Sequence, residues 1–312
     1  MKTSHTGPDV VRCPVCSHAS DHLQQVPGWG AWRRCPNCTL EFADPLHLGQ
    51  DPRSLFDNAY RGRVQVSGMT DFHKRVEQRR VILKELDDPS LWFWTPAFKS
   101  VLDWLRRSVK PGSTVLELGC GLGFFLHALK REGYEAVGLD VAETAVDLNR
   151  RDGFDVWHGP VESMPHGWTD PQAVVSFFML HHLENPMGFL CALRERAPRA
   201  PLAIAVYGPS NKGGPASLPP RTLIRWNGRA LATALELSGY QVDIQEIEST
   251  GAESDFLEPI RSTLARSMAL PSLYRLGKRM EARVLARTPA RLRHEAYVVL
   301  ALAKPVPAAA GA

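Results

Sequence analysis

Glu117-Leu118-Gly119-Cys120-Gly121-Leu122-Gly123-Phe124 (ELGCGLGF) lies about two-fifths of the way along a chain of 312 residues. Glycine-rich turns of this kind hold a dinucleotide, a nucleotide phosphate or a sulfonium cofactor, and the neighbouring residue types discriminate among them. The dinucleotide fingerprint G-x-G-x-x-G/A needs a small third residue so that the helix packs closely on the strand. Here that position is Phe124. A phosphate-cradling loop needs a lysine and then Ser or Thr after its last glycine, and neither follows. An acid, Glu117, precedes the first glycine instead. The turn fits neither phosphate reading.

Outward from the turn, the chain alternates apolar strand-like runs with helical periodicity. Expected strands are Thr114–Leu118, Ala136–Asp140, Asp155–His158, Ala173–Phe178 and Leu202–Tyr207, with helical segments between most of them. Helix-separated strands imply a doubly wound parallel sheet, so the fold class is α/β and Rossmann-like. A late helix over Arg229–Ser238 ends at Gly239, and Val242–Ile247 and Ala296–Ala303 supply two closing strands. Upstream, Phe72, Val76, Val81, Leu83 and Leu86 recur at helical spacing within residues 71–86, and a second helix runs from Pro96 to Val109. The Trp92-Phe93-Trp94 cluster reads as ordinary packing or as a pocket wall.

The first forty residues carry a separate signal. Cys13-Pro14-Val15-Cys16 and Cys35-Pro36-Asn37-Cys38 form two CPxC knuckles at the spacing of an all-cysteine zinc site. Two residues between thiolates let one tight turn present both sulfurs to one ion. Cys13, Cys16, Cys35 and Cys38 are the expected ligands, and four protein ligands leave no open position, so the zinc is structural. Two disulfides are the alternative, and the start MKTSHTGPDV, which lacks an apolar export segment, argues for a reducing compartment. Cytoplasmic localisation is the expectation. The domains are expected at 1–45 (zinc ribbon), 46–110 (helical connector) and 111–308.

The turn and the segments downstream of it resemble class I S-adenosylmethionine-dependent methyltransferases, whose first motif is E/D-x-G-x-G-x-G. Gly138-Leu139-Asp140 places an acid at the end of the second strand, where that family grips the ribose hydroxyls. Gly159-Pro160-Val161-Glu162-Ser163 resembles the segment flanking adenine, with Pro160 where many relatives have Asp. Ser176-Phe177-Phe178-Met179-Leu180-His181-His182 resembles the fourth-strand segment, with His181 in place of the usual Glu. Arg225-Trp226, a leucine-rich helix and Gly239-Tyr240 match the later region. The resemblance implies cofactor contacts from Glu117, Gly119, Cys120, Gly121, Gly123, Asp140, Val141, Val161, Glu162, Phe177 and Tyr60. His181 and His182, at the carboxyl end of a strand, are the candidate proton acceptors, with packing as the alternative for each. Within the family, the ribbon and the segments Leu40–Pro45 and Phe56–Tyr60 resemble zinc-ribbon enzymes of small-molecule pathways. The deoxysugar C-methyltransferases are one such branch, but this chain reads Tyr207-Gly208-Pro209-Ser210-Asn211 where they carry Asp-Glu-His.

Composition narrows the partner. With 44% hydrophobic and 22% charged residues the chain is ordinary globular protein. No apolar run reaches the roughly 18 residues of a membrane span. Net charge is +4, yet residues 261–294 alone hold nine basic residues against Glu281, a net +8 that leaves the remainder at −4. This basic helical insertion, placed at about 251–293, reads as a solvated face or as a cap for an anionic substrate. The net acidic remainder argues against nucleic acid. The expectation is methyl transfer from S-adenosylmethionine to a small molecule in secondary or cell-envelope metabolism. Its rivals are an RNA methyltransferase and a catalytically silent binding module.

Overall fold

The computed structural model describes residues 10–64, 69, 71–86, 96–208, 218–250, 280 and 295–307. The basic segment 261–294, apart from Met280, and the cluster 92–94 lie outside them. A seven-stranded sheet forms the centre. Its strands are β4 (Thr114–Leu118), β5 (Glu135–Asp140), β6 (Asp155–His158), β7 (Ala173–Phe177), β8 (Leu202–Tyr207), β10 (Tyr240–Thr250) and β11 (Glu295–Pro305), in the order β10-β11-β8-β7-β4-β5-β6. The pairs from β6 through to β8 are parallel, while β11 runs antiparallel to both β8 and β10. The middle strands are buried on both faces, which is why β4 and β7 read as mainly apolar runs, interrupted by Glu117 and Ser176, rather than as alternations. Chain order reverses between β4 and β7, and open α/β sheets place ligands beyond the strand ends at such a switch point.

Helices cover both faces. On one, α3 (Pro96–Ser108) and α4 (Phe124–Arg131) bury Phe98, Leu102, Leu105, Phe125 and Leu129 against Val115, Val175 and Leu300. On the other, α6 (Pro186–Arg196) and α7 (Gly228–Leu237) bury Leu190, Leu193, Leu231 and Leu235 against Leu116, Val174 and Ile204. α5 (Glu143–Arg151) follows β5. Helix starts are locally encoded. The Asn185 side chain accepts from Gly188 N ahead of Pro186 at the first turn, and the Asn227 side chain accepts from Ala230 N.

The amino-terminal module is a small antiparallel sheet of β1 (Asp21–Val26), β2 (Gly30–Arg34) and β3 (Glu41–Asp44). Its fourth strand is distant in sequence: β9 (Ile224–Arg225) pairs with β3, Glu41 opposite Arg225 and Phe42 opposite Ile224. Asn227, the cap of α7, also donates from Nδ2 to the Thr39 carbonyl at 2.9 Å. The Arg225 guanidinium lies 3.9 Å from the Trp32 ring centroid. Trp32, Leu40 and Phe42 therefore share one continuous core with Leu223, Trp226 and the sheet. The sequence boundary near residue 45 is not a gap in packing. Two helices, α1 (Pro52–Tyr60) and α2 (Asp71–Leu86), then cross the carboxyl edge of the sheet, α1 against α5 and α2 against α4.

Candidate active site

The Glu117–Phe124 stretch turns sharply out of β4 and into α4, with Gly119, Gly121 and Gly123 at φ of 67°, 49° and 76°. A left-handed conformation costs an L-residue about 1–2 kcal/mol, which explains the residue type. Space adds a second reason. A Cβ on Gly119 would lie 2.7 Å from Met179 Cγ, and one on Gly123 would run into Asn149 Oδ1.

Six of the turn's backbone groups have identified partners, as buried backbone requires. Gly119 N and Cys120 N both donate to the Leu139 carbonyl, at 2.8 and 3.0 Å. Gly121 N donates to Asp140 Oδ2 at 2.8 Å. Gly123 N donates to the Cys120 carbonyl at 2.9 Å. The Gly121 carbonyl accepts from Asn149 Nδ2 at 2.8 Å, and the Leu122 carbonyl accepts from Arg79 Nε at 2.8 Å.

Two acids face this turn from the strand ends. Asp140 accepts from Gly121 N through one oxygen and from Ala142 N through the other at 2.9 Å, so it staples the turn to the start of α5. Burial nonetheless raises its pKa. A diol at Asp140 would use the remaining lone pairs of oxygens already engaged. Glu117 is only 4% exposed, and its Oε2 has no hydrogen-bond partner. Burial first, and the charge of Asp140 second, push its pKa well up. A buried carboxylate that keeps one oxygen without a hydrogen-bond partner beside a left-handed turn fits a ligand that carries its own positive charge.

The other expected contacts arrive at the same edge with unequal roles. The Tyr60 ring is buried, and its hydroxyl lies 3.1 Å from where a Cβ on Gly121 would stand, so Tyr60 covers the turn. Its helix is docked by Asp57 Oδ1, which accepts from Thr144 N at 2.8 Å and Thr144 Oγ1 at 2.7 Å. The Val141 carbonyl lies 3.2 Å from His158 Nε2, and Gly159 N donates to the Asp140 carbonyl at 2.9 Å. Val161 is buried in a single turn over Val161–Ser163, whereas the Glu162 side chain is exposed and its carbonyl accepts from Arg196. Cys120 and Phe177 turn inward. Cys120 packs with Leu126 and Val146, and the Phe177 ring lies 4.6 Å from Phe98 and 4.5 Å from Phe125. What either offers the crevice is its main chain.

The histidine pair follows β7 on a single turn, Leu180–His182. Phe178, before it, has φ 54°, and its ring stacks on Tyr207 at 4.1 Å. The two imidazoles lie 3.9 Å apart. His182 Nδ1–H donates to the Arg221 carbonyl, which leaves Nε2 as the lone-pair nitrogen of the neutral ring. His181 is 6% exposed with Nδ1 unpartnered. Burial depresses both pKa values, His181 well below its usual range and His182 to about 3, so both rings are neutral near pH 7. Leu223 ties this turn to the ribbon: its N–H donates to the His181 carbonyl and its carbonyl accepts from Ala43 N, each at 2.8 Å.

In the ribbon, Cys13, Cys16, Cys35 and Cys38 bring their four sulfurs within 4.8 Å of one another, with Cys13–Cys38 at 3.5 Å and Cys16–Cys35 at 3.4 Å. All four are free thiols, not disulfides. A tetrahedron with metal–sulfur bonds of ~2.3 Å has edges of roughly 3.8 Å, which this cluster fits. Arg79, Asn149, Met179 and Asp57 also reach the site, and sequence reasoning missed them. Each acts through tertiary contacts that no local pattern announces.

Among proteins of known family, residues 116–196 match the sequence profile described as a methyltransferase domain. Proteins named ribosomal protein L11 methyltransferase from Burkholderia thailandensis and Burkholderia mallei align over 158 residues, at 28% and 32% identity. Each alignment covers 48% of this chain and 45% of the relative, so the chain spans about half the length of the curated relatives it matches. A solved SAM dependent methyltransferase from Aquifex aeolicus superposes with a TM-score of 0.42 at 22% identity, covering 70% of this chain and 96% of that one. The segment from β4 to α6 thus carries a methyltransferase domain. No helix among the described residues is long and apolar enough to cross a membrane.

Proposed function

We propose that this chain transfers a methyl group from S-adenosylmethionine to a small-molecule acceptor. One observation carries the reading: the glycine turn, bonded through its amides to β5 and across itself, follows the buried carboxylate of Glu117, whose Oε2 has no hydrogen-bond partner. In this reading Glu117 pairs with the amino group of the cofactor, and Gly119 to Gly123 admit its close approach. Asp140 and the main chain of Val141 and Val161 line the adenosine side, with Glu162 at the rim. Tyr60 closes the top. When bound, the cofactor supplies a methyl carbon on a positively charged sulfur, which leaves as a neutral thioether.

The chain's share of the work is to aim the acceptor, exclude water and take a proton, and positioning supplies much of the rate. An oxygen acceptor that takes up the methyl group would carry a strongly acidic proton, so a neutral, weakly basic imidazole would suffice to remove it. His182 Nε2 is the assigned acceptor of that proton, and His181 backs its ring. The four cysteines hold a structural zinc ion in the ribbon.

The aromatic cover limits the size of the acceptor. Phe56 meets Phe72 at 6.2 Å and His182 at 5.0 Å, and Tyr60 meets Phe72 at 5.3 Å, an aromatic roof suited to a small ligand. The basic segment 261–294 is proposed to favour an anionic group on that ligand. A protein acceptor is the second reading, prompted by the names of the Burkholderia relatives. Calorimetric titration with S-adenosylmethionine tests the first step, and absence of binding sinks the proposal in favour of a silent module. Labelled-methyl transfer, tried on a small-molecule extract and on ribosomal protein, separates the two acceptor classes.

A further inference from the structure

Arg79 sits in the middle of α2, outside residues 116–196, and is 7% exposed. A buried guanidinium demands partners for its donors, and the partners here are the cofactor turn, Asn149 and Asp152. Nε donates to the Leu122 carbonyl at 2.8 Å. Nη2 donates to Asp152 Oδ2 at 2.6 Å and to Asn149 Oδ1 at 3.3 Å. Asn149 is fully buried and passes the contact on, with Nδ2 donating to the Gly121 carbonyl at 2.8 Å and to the Ala145 carbonyl at 3.0 Å. Asp152 also accepts from His127 Nε2 at 2.9 Å, which fixes the counter-charge to α4. Burial tends to raise the Asp152 pKa, but the bonds from Arg79 and His127 outweigh it and hold the carboxyl below its usual range.

Two successive carbonyls of the turn, Gly121 and Leu122, are therefore held by one cation, the first through Asn149 and the second directly. We propose that Arg79 is a positioning residue for the cofactor turn, so that docking of α2 and binding of S-adenosylmethionine are one coupled equilibrium. The inference rests on the function proposed above. Arg79 acts on the turn from behind and is assigned no contact with the ligand. Linkage makes the coupling reciprocal: a docked α2 tightens the cofactor site, and the cofactor holds α2 down. Nothing in the glycine motif itself requires this, because the amides of Gly119, Cys120 and Gly121 are bonded to β5 and that of Gly123 within the turn.

The test uses the full chain and S-adenosylmethionine as the titrant. Arg79→Ala, checked for a retained far-UV signal and a cooperative unfolding transition, is expected to bind the cofactor at least tenfold more weakly than the parent. Arg79→Lys keeps charge but not the forked donors, and it is expected to recover only part of that loss. Millimolar methylguanidinium, added to Arg79→Ala, is expected to restore affinity in part, a response that general destabilisation would not give. On the parent protein, saturating cofactor is expected to slow amide hydrogen exchange across residues 71–86. Folded Arg79→Ala that binds within twofold of the parent overturns the inference, as does exchange in α2 that the cofactor leaves unchanged. Should Arg79→Ala not fold, Arg79→Lys and the exchange measurement decide. A parent protein that binds no cofactor overturns the proposed function, and this inference with it, before any variant is compared.

Discussion

Glu117→Gln keeps the shape of a buried side chain and removes its charge. In the unfolded chain this carboxyl titrates near its ordinary value, whereas in the fold burial and Asp140 move its pKa well up. A folded pKa above the unfolded one means that the native chain binds more protons between the two values, so stability is lost as pH rises through that window. The wild-type cost is absent near pH 4.5 and grows toward neutral pH. An unsatisfied buried polar oxygen costs about 1–3 kcal/mol. Glutamine removes the charge dependence, so the variant should gain roughly that much at pH 8 and little at pH 5. For 312 residues, at about 2.1 cal/mol/K of unfolding entropy per residue, the gain corresponds to roughly 1.5–4.5 °C in Tm. Cofactor affinity should move the other way, by about 10–100-fold, because a charge-assisted bond of about 1.5–3 kcal/mol is lost. Scanning calorimetry of both proteins without ligand at pH 5 and pH 8, followed by titration with S-adenosylmethionine, measures both effects. A variant less stable than wild type at pH 8, an equal gain at both pH values, or undiminished affinity refutes the reasoning.

Other perturbations give separable outcomes. His182→Asn is expected to lower kcat about 10²–10⁴-fold with cofactor affinity unchanged, as measured by steady-state kinetics beside calorimetry. Because the folded pKa of His182, at about 3, lies below its unfolded value, wild-type stability should decline as pH falls from 6.5 toward 3. The variant should show a shallower decline in acid denaturation. Gly123→Ala places a methyl group on the buried Asn149 side chain at a left-handed position, and a loss of about 2 kcal/mol or more by chemical denaturation is expected. Cys35→Ser should abolish stoichiometric zinc by elemental analysis and lower Tm of the whole chain by about 5 °C or more in a single transition. Two transitions there would contradict the shared core.

The doubly wound sheet was legible in the sequence because its strands are short apolar runs and its turn admits few residue types. Every expected strand of the sheet forms, with ends moved by at most three residues. The antiparallel pair β10 and β11 runs longer than expected, since pairing between strands carries it past the apolar stretch. β9 was not legible. Two residues have no period, and Ile224–Arg225 becomes a strand only because the ribbon offers the open edge of β3. Side-chain direction was not legible for a related reason. Phe177 closes a strand buried on both faces, so no alternation tells which way its ring points. Arg79 lay hidden in what reads as an ordinary connector helix, where a lone arginine looks like surface. The two acids were visible as residue types. That Asp140 spends both oxygens on backbone amides while Glu117 leaves one unpaired is a property of three dimensions alone.

The strand lent by residues 224–225 to the ribbon has a practical consequence for anyone who would transplant this module. Cutting at residue 45 strips Ile224 and Trp226, both fully buried, of their cover and leaves a raw β-edge on each half. A chimera must carry this chain's lending strand along with the cysteine knuckles. Exchange of the ribbon alone would trade away the support beneath the histidine turn, since one leucine amide and carbonyl join the two.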